Sequence, residues 1–238
     1  MWGFIVDRIG SRKAADIKEA LVVSLPSPIL RALNNRIVNF VPQPFYAKSA
    51  IFVHVPKAAG TSIAVSLYGS RVSHQPAELL RKADPQFWSS AYKFSVVRDP
   101  YERVLSAYHY LRIGGTEEAP IDDRRDMRDV DLSTFENMIY WLEKNFHNIR
   151  KYNYVLWPQY WFVCDQAGRI MVDDIFKVEN MPDLQRELNA RGLISGAIPH
   201  VNASRNSNKS ARDILDEDIK RRIFSMYRRD FEMFGYMS

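Results

Sequence analysis

The sequence predicts an α/β protein whose central sheet is mainly parallel and flanked by helices. Two apolar runs of strand length, at residues 50–55 and 92–97, are each followed at once by a short loop and a helical pattern. Strands that alternate with helices in this way pair in parallel, and ligands bind at the carboxyl ends of such strands. The 238 residues, 46% hydrophobic and 26% charged, are enough to form a folded core.

Residues 1–48 are predicted to form a helical extension packed on the core. Helical spacing is visible at residues 14–23 and again at residues 29–38, after two prolines. Pro42 and Pro44 predict an extended lead into the first core strand. Contact with a second copy of the chain or with a membrane surface is the alternative role for these helices.

The elements after the second strand are marked mainly by caps and glycines. Ser133, with Glu136 three residues later, predicts a capping box that opens a helix to about Asn145. The charged stretch at residues 114–131 predicts a long loop, either solvated or acting as a lid over a ligand. The remaining predicted elements are short strands at residues 170–172 and 175–178, a helix at residues 182–191 closed by Gly192, and a helix at residues 216–229.

Composition limits the partners and the compartment. The formal charge of +5 and the pI near 9.2 favour anionic ligands, but no recognition helix or aromatic RNA-binding signature is present, so nucleic acid is not expected as a partner. Cys164 is the single cysteine and follows an aromatic run, which predicts a buried thiol and no disulfide. Neither a membrane span of ~20 apolar residues nor a secretion signal is visible. A cytoplasmic location is therefore expected, with peripheral contact at a membrane surface as the alternative.

The most informative segment follows the first strand. It reads Pro56, Lys57, Ala58, Ala59, Gly60, Thr61 and Ser62, and a helical apolar run begins directly after it. Free N–H groups and the positive end of the helix dipole make such a junction an anion site. Lys57 adds a full charge, and Thr61 and Ser62 add hydroxyl donors. The segment therefore predicts a site for a phosphate-like group.

This loop differs from the nucleoside-triphosphate loop, whose pattern is G-x-x-x-x-G-K-[ST]. It contains one glycine, Gly60, and Lys57 precedes that glycine instead of following it. Asp173 and Asp174 are the nearest candidates for a magnesium-organising pair, but they precede an apolar run instead of closing it. A nucleotide or phosphate kinase is therefore the weaker alternative function. A catalytically inactive nucleotide-binding module is the other alternative.

A second anion-binding motif follows the second strand. Arg98 comes at the end of that strand, and Asp99 is predicted to cap the next helix, with Pro100 at its first position. Glu102 is expected to complete a capping box, and Ser106 lies two turns into the helix. Arginine suits this position because its planar fork can hold a phosphate through two hydrogen bonds.

Together the two motifs resemble those of sulfotransferases that use 3′-phosphoadenosine-5′-phosphosulfate (PAPS). In that family a P-K-x-x-G-T-S loop holds the 5′-phosphosulfate, and a strand-end arginine with a serine eight residues on holds the 3′-phosphate. Further similarity to the carbohydrate-directed branch lies at residues 157–159, 176–180, 199–204 and 227–236. The resemblance implies a P-loop-like sulfotransferase fold, with a single catalytic domain at residues 49–238.

The resemblance also implies a reaction and a set of site residues. A sulfuryl group is expected to move by in-line displacement from PAPS to a hydroxyl or amine of a carbohydrate or glycolipid, leaving 3′,5′-adenosine bisphosphate (PAP). The residues expected to bind the donor are Lys57, Ala58, Ala59, Gly60, Thr61, Ser62, Arg98, Ser106, Asn202 and Ser204. Lys57 is also expected to stabilise charge on the leaving phosphate. No metal is expected, because Lys57 and the helix start supply the positive charge.

His74 is the predicted general base. It lies between the two anion-binding motifs, and some carbohydrate sulfotransferases carry a base histidine at a similar place before the 3′-phosphate arginine. The structural alternative is that His74 caps or orients the helix beginning near Pro76. His54 is expected to be a core residue. His200 and Glu78 are the next candidates for the base.

Overall fold

The computed structural model describes residues 11–34, 40–116, 119–121, 129–198 and 210–237. In this part of the chain the protein is a mixed α/β structure with helices around a small sheet, which confirms the predicted fold class. The sheet consists of three parallel strands in the order β1 (Ala50–Val53), β2 (Tyr92–Val97) and β5 (Asp174–Lys177). Strands β3 (Gly115–Thr116) and β4 (Ala119–Pro120) form a separate antiparallel hairpin.

Three helices precede the sheet, namely α1 (Ser11–Ser24), α2 (Ser27–Leu33) and α3 (Gln43–Lys48). The first two agree with the predicted helical spacing, although α2 ends earlier than its pattern. The extended lead predicted at Pro42 and Pro44 is wrong, because α3 begins between these two prolines. Proline is tolerated in a first helical turn, where the backbone nitrogen has no intrahelical partner in any case.

The first two helices lie against α5 (Ala77–Ala83). The Ser27 hydroxyl donates a hydrogen bond to the carbonyl oxygen of Lys82 at 2.9 Å, and the Lys82 ammonium group donates to the carbonyl oxygen of Val23. Val22 and Leu30 are buried in the same apolar cluster as the sheet. Apolar burial, together with these hydrogen bonds, therefore holds α1 and α2 on the core.

Helices α4 (Gly60–Tyr68), α5 and α6 (Pro85–Ser90) connect β1 to β2. Gly69 ends α4 with a φ of +70°, a left-handed conformation that favours glycine. The Asp84 side chain caps α6 by accepting a hydrogen bond from the Phe87 N–H at 3.1 Å. The chain then enters β2, which pairs with β1 so that Phe52 lies opposite Phe94.

Helices α7 (Pro100–Arg112) and α8 (Phe135–Asn145) follow β2. The predicted α8 is present, but its cap is one residue later than expected, since Thr134 and not Ser133 accepts a hydrogen bond from the Asn137 N–H at 3.1 Å. The hairpin of β3 and β4 lies within the stretch that was predicted to be an unstructured loop.

The remaining elements bring the chain back to the sheet. They are 3₁₀ segments at Phe146–Lys151, Tyr154–Leu156 and Val178–Asn180, and helices α9 (Tyr160–Val163), α10 (Met181–Ala190), α11 (Ala211–Ile214) and α12 (Glu217–Met233). Of the two predicted short strands, the second corresponds to β5, whereas Ile170 forms only an isolated bridge with Cys164. Cys164 is buried as predicted, and burial raises the pKa of its thiol to about 11.

Apolar side chains gather in two clusters. One surrounds the sheet and the N-terminal helices, and the other joins α7, α8 and α12. The carboxyl ends of β1, β2 and β5 meet at one edge of the sheet, because the three strands are parallel and in register. In the ranges that the structure describes, no helix is long and apolar enough to cross a bilayer.

Candidate active site

The loop after β1 has an unusual backbone. Lys57 and Ala59 adopt left-handed conformations, with φ of +66° and +57°, although both residues carry a Cβ atom. Such a conformation costs a non-glycine residue roughly 1–2 kcal/mol. Ala59 is also the N-cap of α4 and supplies no side-chain hydrogen bond to it. The first N–H groups of α4 are therefore not capped by the residue that normally satisfies them.

A glycine is required at position 60 because the His54 ring lies very close to its Cα atom, and not because of its backbone angles. A Cβ atom at this position would lie 2.0 Å from Cδ2 and 2.1 Å from Nε2 of His54. The His54 ring is held in place by a 3.1 Å hydrogen bond between its Nδ1 and the carbonyl oxygen of Val72. His54 is buried as predicted, and it forms the support on which the loop rests.

Lys57 lies against one aromatic ring and near one other cation. Its Nζ lies 4.3 Å from the ring centre of Tyr110 in α7. Burial, with the charge of Arg98 as the smaller cause, lowers the pKa of Lys57 to about 8. Two cations from two different strand ends are thus close enough to repel one another, which is an arrangement that an anion between them would stabilise.

His74 lies directly behind this loop. Its Nδ1 is 3.0 Å from the carbonyl oxygen of His54, and the two imidazole ring centres are 3.8 Å apart. Because a carbonyl oxygen only accepts hydrogen bonds, Nδ1 carries the proton and Nε2 carries the free lone pair. The ring centre of Tyr154 is 5.0 Å away on another side.

The environment of His74 favours its neutral form. Burial lowers the pKa of His74 to about 4, with the charge of Lys57 as a smaller cause, while the hydrogen bond to His54 acts in the opposite direction. Pro76 is the N-cap residue of α5, and no side-chain hydrogen bond caps the start of this helix. His74 therefore does not cap α5, as the structural alternative proposed, and its Nδ1 instead bonds the His54 carbonyl oxygen.

Arg98 comes directly after β2, and its guanidinium group contacts Glu102. The Arg98 Nη2 atom donates to Glu102 Oε2 at 3.0 Å. The predicted capping box is therefore wrong in its second half. Asp99 caps α7 by accepting from the Tyr101 N–H at 2.9 Å, but its own N–H donates to Glu179 and not to Glu102.

Ser106 lies one turn beyond Glu102 on α7, so the two residues share a helix face. It is half-buried. Arg98 contacts the same face through Glu102, which places the arginine and the serine along one side of the helix.

The backbone of Arg98 is held by a distant residue. The Arg98 N–H donates to Gln159 Oε1 at 3.0 Å, and Gln159 Nε2 donates to the Arg98 carbonyl oxygen at 2.8 Å. Gln159 is fully buried, and its own N–H donates to Asp230 Oδ2 at 2.8 Å. Asp230 also accepts from the Tyr160 N–H at 3.0 Å. A chain of buried hydrogen bonds thus runs from α12 through Gln159 to Arg98.

A second set of long-range contacts surrounds the same turn. Glu179, just after β5, accepts the Asp99 N–H at 2.8 Å and the Tyr236 hydroxyl at 2.9 Å. Arg212 Nε donates to Asp99 Oδ2 at 2.7 Å. The position of Arg98 is therefore set by the 3₁₀ segment after β5, the N-cap residue of α9, Arg212 of α11 and Asp230 of α12.

The structure brings Lys57, His74 and Arg98 to the same edge of the sheet, next to the start of α4. Thr61 is half-buried at the helix start, whereas Ala58 and Ser62 are buried. The predicted donor contacts Asn202 and Ser204, and the alternative base His200, lie outside the described residues. Glu78 is in the first turn of α5.

Sequence reasoning did not assign roles to several residues around this edge. Gln159, Glu179, Asp230 and Tyr236 lie within segments noted only for their similarity to a known family. Tyr110 and Tyr154 carry no local signal that separates them from ordinary tyrosines. In the described part of the chain, no group of three or more His, Cys, Asp or Glu side chains is arranged to hold a metal ion.

The fold and this site define an α/β protein with two cationic side chains, Lys57 and Arg98, after neighbouring parallel strands. A family model described as "Sulfotransferase family" matches residues 45–237. The chain therefore belongs to the sulfotransferase family, which supports a sulfotransfer activity in general terms. No curated protein and no solved structure matched the chain.

Proposed function

We propose that this chain transfers a sulfuryl group from PAPS to a hydroxyl or amine of a carbohydrate or glycolipid acceptor, and releases PAP. The observation that carries the proposal is the closeness of Lys57 and Arg98, which follow adjacent parallel strands and repel one another without a ligand. A donor with anionic groups at both its 5′ and 3′ positions would neutralise both cations at once.

In this proposal each of the two loops binds a different anionic group of the donor. Lys57, the N–H groups at the start of α4 and the Thr61 hydroxyl bind the 5′-phosphosulfate. Arg98 and Ser106 bind the 3′-phosphate, with the guanidinium group as a bidentate donor. Ala58, Ala59 and Gly60 contribute backbone and leave room for the anion. Ser62 supports the turn from inside, since it is buried.

The transfer itself needs one proton acceptor and one charge stabiliser. The acceptor oxygen attacks sulfur while the bond between sulfur and the bridging phosphate oxygen breaks, and that oxygen leaves on PAP. His74 Nε2 takes the proton of the acceptor hydroxyl, for which the neutral form favoured by its surroundings is required. Lys57 stabilises the charge that develops on the leaving phosphate. In this scheme the lysine and the helix start supply the positive charge without a metal ion.

Titration calorimetry with PAP and with ATP tests the proposal. The wild-type protein is expected to bind PAP tightly and ATP weakly. Arg98→Ala should weaken PAP binding by ~2 kcal/mol or more, because a charge-assisted contact to the 3′-phosphate is lost. Arg228→Ala, which removes an exposed arginine of α12, serves as the matched control. Equal affinity of the wild type and Arg98→Ala for PAP would remove the arginine from the donor site.

A transfer assay with radiolabelled PAPS tests the chemistry and the role of metals. Label is expected to move to a glycan or glycolipid acceptor at the same rate with and without EDTA. Inhibition by EDTA that added magnesium reverses would contradict the metal-free scheme. Preferential turnover of ATP would favour the kinase alternative.

A further inference from the structure

Two tyrosines complete a small cup around the proposed reacting groups. The cup consists of Lys57, His74, Tyr110 and Tyr154, and we refer to it as the acceptor cup. We propose that the acceptor cup binds the sugar ring of a neutral glycoside, with the ring stacked on Tyr154 and bordered by Tyr110. This inference rests on the proposed function and identifies the residues that select the acceptor.

The four side chains come from four separate segments and approach one another closely. Tyr154 begins the 3₁₀ segment Tyr154–Leu156, and its ring centre lies 5.0 Å from that of His74. Lys57 Nζ lies 4.3 Å from the ring centre of Tyr110. Tyr110 is also near enough to Tyr154 to have a small electrostatic effect on its ionisation. Two members of the cup, His74 and Lys57, are the proposed base and charge stabiliser.

The Tyr154 side chain is not part of the buried core. Tyr154 is 39% exposed although its ring lies beside that of the half-buried His74. Among the described residues, its hydroxyl has no hydrogen-bond partner. Burial, with Tyr110 as a smaller cause, raises the pKa of Tyr154 to about 12, so the hydroxyl keeps its proton at neutral pH and can both donate and accept. A partly exposed aromatic side chain with an available hydroxyl therefore lies next to the proposed base.

The chemistry of the acceptor cup fits a sugar better than other hydroxyl compounds. A pyranose ring has an apolar face of C–H groups, which suits an aromatic face, and a rim of hydroxyls, which suits tyrosine hydroxyls. A ring stacked on Tyr154 would place one rim hydroxyl beside His74, where the proton must leave. An aliphatic alcohol would offer the Tyr154 ring no flat C–H face with a rim of hydroxyls, and a phenol would meet the Tyr154 hydroxyl with a single oxygen.

Saturation-transfer NMR on the PAP-bound protein tests which compounds enter the acceptor cup. The probes are methyl glucoside, methyl galactoside, cyclohexanol and phenol at equal concentration. We expect saturation of the C–H protons of a sugar in the wild type, its loss in Tyr154→Ala, and its retention in Tyr154→Phe, which keeps the ring face. Tyr140→Ala is the matched control, because Tyr140 on α8 is 40% exposed and belongs to another surface.

A transfer assay with the glycoside that binds gives the second measurement. Tyr154→Ala should raise the KM for the glycoside about tenfold, the loss expected for one aromatic contact. Its calorimetric affinity for PAP should equal that of the wild type, and Tyr140→Ala should change neither quantity.

Several outcomes would overturn the inference. Absence of sugar saturation in the wild type, or equal saturation in Tyr154→Ala, would show that sugars do not bind at the acceptor cup. Stronger saturation of cyclohexanol or phenol would overturn the assignment to sugars. Loss of PAP affinity in Tyr154→Ala would assign the residue to the donor site. The calorimetry of the wild type with PAP decides the proposed function separately, so the two failures are distinguishable.

Discussion

The loops that follow β1 and β2 reach the same edge of the sheet by different means. The Lys57 loop is built from consecutive residues, and its shape depends on its own left-handed turns and on the His54 ring packed against Gly60. The Arg98 turn is held from far away in sequence, by Gln159 and Glu179. The first loop carries the proposed reaction, and the second carries the proposed positioning of the donor.

This difference suggests that reaction and positioning are separable. Loss of the Lys57 or His74 side chain should lower mainly turnover, whereas a change around Arg98 should weaken mainly donor binding.

The largest effect is expected from His74→Ala. Turnover should fall by ~10²–10⁴-fold, the usual range for a general base, while PAP affinity and thermal stability stay near those of the wild type. Histidine NMR signals offer an independent check, because burial lowers the pKa of His74 to about 4 and its ring should not titrate between pH 5.5 and 8. More than about a tenth of wild-type turnover in His74→Ala would place the base elsewhere, with Glu78 and His200 to be tested next.

Lys57→Ala should lower mainly turnover, and Arg98→Ala should lower mainly donor affinity. Lys57→Ala should lose about 3–4 kcal/mol of transition-state stabilisation, seen as a drop in turnover of 10²- to 10³-fold, with a smaller loss of donor affinity. Arg98→Ala should lose mainly donor affinity. The measurements are turnover and the dissociation constant of PAP for each variant. If Lys57→Ala only raises the KM for the donor, Lys57 is a binding residue and the division fails.

The same comparison explains what the sequence could predict. The Lys57 loop was recognisable because all its parts are adjacent, and the fold class followed from two strands with helices after them. Arg98 and Asp99 were also recognisable, since a strand end and a helix cap are local features. The local pattern misled at Glu102, which matches a capping box but contacts Arg98 instead.

The supports of Arg98 could not be predicted, because they depend on pairings between residues far apart. Gln159 is 61 positions from Arg98 and 71 from Asp230, and no local rule links them. The acceptor cup was missed for a similar reason, since Tyr110 and Tyr154 meet only after the chain folds. Pro44 illustrates the opposite error, because a proline that was expected to extend the chain lies in the first turn of α3.

Two neighbouring substitutions test the local character of the Lys57 loop. Gly60→Ala places a Cβ atom 2.0 Å from His54, so it should destabilise the protein by about 1–3 kcal/mol and reduce PAP affinity. Ala59→Gly is the matched control, because Ala59 has a left-handed φ that glycine adopts freely. It should change stability by less than about 1 kcal/mol and keep PAP binding. Thermal melting and calorimetry give both values, and equal effects of the two changes would contradict the steric explanation.

Gln159→Met tests the long-range support of Arg98. Methionine has a similar shape but cannot form the two hydrogen bonds to the Arg98 backbone, so PAP affinity should fall about tenfold, the equivalent of one to two hydrogen bonds. Binding of 5′-AMP, which lacks the 3′-phosphate, should change much less. Gln185→Met on α10 is the control. If PAP and 5′-AMP weaken equally, Gln159 supports the whole fold and not the position of Arg98 in particular.

The smallest expected effect is an uptake of protons on PAP binding, which distinguishes Lys57 from Arg98. Burial and the nearby Arg98 lower the pKa of Lys57 to about 8, so a large share of Lys57 is uncharged at pH 8.5 in the free protein. A bound anion favours the charged form and raises this pKa, so PAP binding should take up a fraction of one proton at pH 8.5, and PAP affinity should fall as pH rises above about 8. The phosphates of PAP contribute almost no uptake, because their second ionisation has a pKa of about 6 and is essentially complete at pH 8.5. Calorimetry at pH 8.5 in two buffers of different ionisation enthalpy measures the uptake directly. Lys57→Arg should abolish it, because arginine stays charged throughout this range. A wild-type protein without proton uptake would show that Lys57 is already fully charged, and the two cations would then be equivalent in the free site.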